Sequence, residues 1–209
     1  MASPSKVEVV TKASNLSSVA RQALERIQID ASMILPTLNK CVELDRIGQS
    51  PPYHLWIVIY SVPGRVAFVL ACTEGYMGSY PVFIVNPNPL NDEDFTSCLQ
   101  LLARTLHRNV PKERVYSIFG PFKISQLFSK IWTQLTGIQT EAQPYYDAKI
   151  SLLRWHEGLQ QPLTASESSV FEVGPAGPAD IMAIAKLCHA FASDSVSCRL
   201  PSIFCLIKC

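Results

Sequence analysis

Apolar residues change their period several times along this chain of 209 residues, and each change marks an element. Residues 6–11 (KVEVVT) alternate and are β-branched, which predicts a short strand. Asn15 is read as a helix cap. Behind it Leu16, Val19, Ala23, Leu24 and Ile27 recur at helical spacing. A second helix is expected over about 30–47, kinked at Pro36 and stopped by Gly48. Residues 54–61 (HLWIVIYS) form a continuous apolar run, as in a buried strand. Val62-Pro63-Gly64-Arg65 reads as a hairpin turn and residues 66–72 (VAFVLAC) as its return strand. Residues 73–80 (TEGYMGSY) hold two glycines and read as a turn. Residues 81–86 (PVFIVN) read as a third strand.

The prolines of residues 86–91 (NPNPLN) exclude helix and strand. Asn91 then caps a helix that opens with Asp92, Glu93 and Asp94, acids that suit the positive end of a helix dipole. Phe95, Leu99, Leu102 and Leu106 line its inner face. A strand is expected over 115–119. A helix follows over 122–135, with Ile124, Leu127, Phe128, Ile131, Trp132 and Leu135 inward, and then a period-two strand over 147–154. Strands joined by short turns should run antiparallel, and the later strand–helix–strand crossover should be parallel and right-handed. The predicted fold class is therefore α/β in the mixed, α+β sense: a mixed sheet with helices on both faces. Residues 81–86 are expected near its centre.

A composition of 48% hydrophobic and 17% charged residues is that of a core-forming chain, not a disordered one. The net charge of +1, with no clustered Lys/Arg, argues against nucleic acid and against anionic membrane surfaces. Arg104, His107, Arg108, Lys112 and Arg114 are read as a solvated helix end and loop. No stretch reaches the roughly 18 apolar residues of a membrane span, and charges at Lys6, Glu8 and Lys12 interrupt any leader-like run. The expected compartment is the cytoplasm. The seven cysteines include no CxxC pair. Cys188, His189 and Cys198 match no zinc spacing, so no metal is expected.

Residues 156–169 (HEGLQQPLTASESS) are polar and Ser/Gln-rich and read as a linker. Beyond them residues 170–195 give a short strand, a Gly/Pro turn and an amphipathic helix over 179–193, with Ile181, Ile184, Ala185, Cys188 and Phe191 on one face. The expected division is a first module over 1–156, a linker over 157–169 and, over 170–209, the start of a second module. That second module is expected to be cut short and to end in an atypical tail.

The element order resembles the fold of the GCN5-related N-acetyltransferases. Several segments also resemble a fungal subgroup with two tandem modules: TEGYMGSYPVFIV (73–85), RVYSIFGP (114–121), WTQLTGI (132–138), PYYDAKISLL (144–153) and PADIMAIAKLCHAFAS (178–193). The resemblance covers most of residues 25–195. It implies transfer of an acetyl group from acetyl-CoA to an amine of a small molecule or peptide. It also implies cofactor contacts from the fourth strand of the fold, here Val82, Phe83, Ile84, Val85 and Asn86, and from Asn91 at the next helix. The family's phosphate loop is Q/R-x-x-G-x-G/A, whose glycines let backbone N–H groups approach a pyrophosphate. At the matching place this chain has Asn86-Pro87-Asn88-Pro89-Leu90-Asn91, without glycine, followed by three acids. The alternative is thus a non-catalytic module that binds a ligand or a partner.

Tyr145 and Tyr146 lie where the family places a tyrosine that protonates the departing thiolate. Against that role stands a half-buried strand position with the hydroxyls at the rim. Glu74 is a candidate general base at a strand end, set against a place in a solvated turn.

Overall fold

Leu55–Val62 (β2) and Arg65–Cys72 (β3) make an antiparallel hairpin closed by Val62↔Arg65. Its turn needs Gly64, whose φ of +79° lies in the left-handed region. The computed structural model describes residues 6–51, 53–75, 78–141, 144 and 174–194. Around the hairpin stand Lys6–Val10 (β1), Val82–Val85 (β6) and Ile118–Phe119 (β7), in the order β1-β2-β3-β6-β7. All neighbours are antiparallel except β6 and β7, which are parallel. This is the mixed sheet that the short turns and the single crossover require. Glu74–Gly75 (β4) and Gly78–Ser79 (β5) form a separate two-stranded ladder. The chain divides into two units, Met1–Ala142 and Gln143–Cys209.

The sheet is buried on both faces, which explains the uninterrupted apolar runs of β2 and β3. One face carries Ile57, Ile59, Phe68, Leu70, Val82 and Ile84 against the helices Asp92–Asn109 (α3) and Phe122–Thr136 (α4). The other carries Trp56, Val58, Val69, Ala71, Phe83 and Val85 against Ser18–Arg26 (α1) and Ile34–Arg46 (α2). Period two sends alternate residues to opposite layers.

Several boundaries differ from the expected ones for identifiable reasons. Ser17, not Asn15, caps α1: its hydroxyl accepts from Ala20 N–H at 3.3 Å, while Asn15 ends a 3-10 turn, Ala13–Asn15. Pro36 does not kink α2 but stands third in it, in the first turn, where no intrahelical donor is required. Gly48 stops the helix as expected, at φ +71°. The strand expected over 115–119 is reduced to two residues, Ile118–Phe119, and a 3-10 turn over Lys112–Arg114 precedes it. β6 is interior, fourth of the five strands, with β3 in the middle. All four of its residues are buried. Its amides are expected among the slowest to exchange with deuterium. Fast exchange at Phe83–Val85 would overturn this strand order.

A polar chain pins β1 to α1. Tyr60 donates to Glu8 Oε2 at 2.5 Å, Ser17 Oγ lies 2.8 Å from the same phenol oxygen, and Ser17 N–H donates to Glu8 Oε1 at 2.8 Å. Burial, reinforced by Glu8, pushes the Tyr60 phenol up to about 12. The fold therefore favours the neutral phenol. Its contribution is complete below the ordinary value near 10 and is lost as pH rises from there through about 12. Urea midpoints should fall across that window, and Tyr60→Phe should flatten the fall relative to the parent chain. An equal fall in both proteins would remove Tyr60 from the account.

In the second unit a 3-10 turn, Pro178–Asp180, leads into Ile181–Asp194 (α5). Proline suits that entry, and Asp180 Oδ2 accepts from Gly177 N–H at 2.8 Å. No helix of the described residues is long and apolar enough to cross a membrane.

Candidate functional site

The end of β6 is where a ligand of an open α/β sheet would sit, because the connection changes there from antiparallel to parallel. The pairing of β6 with β7 is short: Val82↔Ile118 and Phe83↔Phe119, with Val82 N–H donating to Ser117 O at 2.9 Å. Two residues further, the same register sets Ile84 beside Gly120 and asks residue 121 for an N–H. Pro121 has none, so the ladder ends and the chain turns into α4. Gly120 nevertheless stays close. A Cβ there would lie 2.4 Å from the Ile84 carbonyl oxygen.

The loop from β6 to α3 is tied down by its own side chains. Asn86 Nδ2 donates to Ala67 O at 2.5 Å, and Asn88 Nδ2 to Val66 O at 2.9 Å. These two amides extend the β3 edge past the point where the prolines end backbone pairing. Arg65 Nη2 donates to Pro89 O at 2.6 Å. Asn91 caps α3 as expected, its Oδ1 accepting from Asp94 N–H at 2.7 Å while its Nδ2 donates to Asp94 Oδ2 at 2.9 Å. Lys123 Nζ donates to Asp92 Oδ1 at 2.9 Å. That bond holds the exposed Asp92 carboxyl below its usual range. The same ammonium lies 4.9 Å from the centre of the Phe95 ring.

The helix terminus that could hold an anion is thus filled by a side-chain cap and surrounded by carboxylates. Of the residues expected to contact a cofactor, Val82, Ile84 and Val85 are buried strand residues and Phe83 packs edge-on against Phe119 at 5.7 Å. Asn86 and Asn91 have the structural partners just given.

Glu74 sits elsewhere. It follows β3, which runs antiparallel to β6, so it lies by the start of β6 rather than its end. Continued past Ala71↔Phe83, the antiparallel register sets it opposite Tyr80, so roughly 20 Å of extended chain separates it from Asn86. Glu74 is half-buried in the β4–β5 ladder, where the expected turn is hydrogen-bonded. Its Oε1 accepts from Ser79 Oγ at 3.0 Å, and its carbonyl lies 3.1 Å from His54 Nε2.

The sequence reading missed the groups around it. Arg114, read there as solvated, is half-buried and donates through Nη2 to Thr73 O at 2.7 Å and through Nη1 to Tyr80 O at 3.0 Å. Tyr116 donates to Ser79 O at 2.6 Å. Burial raises the Tyr116 phenol, with Arg114 opposing. Burial likewise raises the Cys72 thiol, again against Arg114, so a thiolate nucleophile is disfavoured there. Thr73 Oγ1 and Arg114 Nε are buried without a hydrogen-bond partner. These groups tie β3, the β4–β5 ladder and the approach to β7 into one polar knot. No sequence signal gives it, because its partners lie up to 41 residues apart.

Tyr145 and Tyr146 lie outside the described residues, as do the strand expected over 147–154, the linker and the tail. Among the described residues no group of three His, Cys, Asp or Glu could hold a metal ion. No family model, curated protein or solved structure matches the chain.

Proposed function

We propose that the first unit is an N-acetyltransferase-like module without a working acetyl-CoA site, acting as a non-catalytic binding module rather than as an enzyme. The element order and the parallel β6–β7 pair support the scaffold half of this reading. The observation that carries the other half is the start of α3. A pyrophosphate there would meet an occupied cap, two prolines without N–H groups and the carboxylates of Asp92, Glu93 and Asp94. Backbone donors and a positive helix end make such a site; here Asn91 occupies the Asp94 N–H and three carboxylates oppose the positive helix end. The edge of β6 offers no compensation, since Gly120 lies against the Ile84 carbonyl.

Calorimetry of the full chain with acetyl-CoA tests the reading. Binding should be no tighter than about 1 mM, or roughly 4 kcal/mol. Micromolar affinity would overturn it and restore acetyl transfer to an amine as the reading to pursue.

A further inference from the structure

We draw no further inference here: the strongest candidate, the exposed apolar face of α5 formed by Ile181, Ile184, Leu187 and Phe191, carries nothing because nothing in the structure shows what covers it.

Discussion

Alanine in place of Trp132 is expected to lower the unfolding free energy of the first unit by about 3–5 kcal/mol. Trp132 is 1% exposed on the inner face of α4. Its ring stacks on Phe128, with centroids 6.0 Å apart and planes 12° from parallel, and meets His107 edge-on at 5.8 Å. Its indole Nε1 is buried without a hydrogen-bond partner, so truncation removes no hydrogen bond. The loss is apolar burial plus the void left between α4, α3 and the sheet. Total stabilities of single domains are about 5–15 kcal/mol, so one such loss is a large share. Phe122→Ala is the control. It removes another aromatic from the same helix, but one 62% exposed, and surface changes of this kind stay within about 0.5 kcal/mol. Urea midpoints of the two variants should therefore separate widely. Equal midpoints would mean that α4 does not pack on this sheet, and the fold described above would fail.

The elements most legible in the sequence are those whose causes are local. The turn at Val62-Pro63-Gly64-Arg65 carries its own positive-φ glycine. Helix α3 carries its cap and its acidic first turn within four residues. Even the two-layer core follows from the strand runs, since a strand with no polar face must be covered twice.

Helix starts were less legible. Apolar residues continue through 27–33, and only the first-turn proline marks where α2 begins, since Met33 at its N-cap makes no side-chain cap. Competition between Asn15 and Ser17 for the α1 cap is settled by Glu8 on β1 and Tyr60 on β2, which both hold Ser17.

Of the candidate site, the loop from β6 to α3 was the legible part. The glycine-free, acid-flanked loop is a local feature, and the structure adds the partners of its side chains. The polar knot around Arg114 was not legible, because a charged residue beside apolar ones looks solvated until its distant carbonyl partners are placed.

Gly120 joins stability to function at one residue. Gly120→Ala should destabilise the first unit by about 1–3 kcal/mol, the usual cost of forcing extra volume into a packed place. The new Cβ would meet the Ile84 carbonyl oxygen at 2.4 Å. That oxygen belongs to the backbone of an interior strand fixed to β3 through Leu70↔Ile84, so it cannot swing aside as a side-chain tip would. Relief would have to come from moving the entry of α4, which buries Ile124 and Phe128 behind it. Gly174→Ala offers the comparison, since nothing lies within 4 Å of its added methyl group and its φ is unremarkable; it should be neutral within about 0.5 kcal/mol. The same close approach closes the β6 edge along which an extended cofactor arm would have to lie. A Gly120→Ala chain as stable as its parent would show that this edge has room. It would also remove one of the two supports for the non-catalytic reading, leaving the α3 terminus to carry it alone.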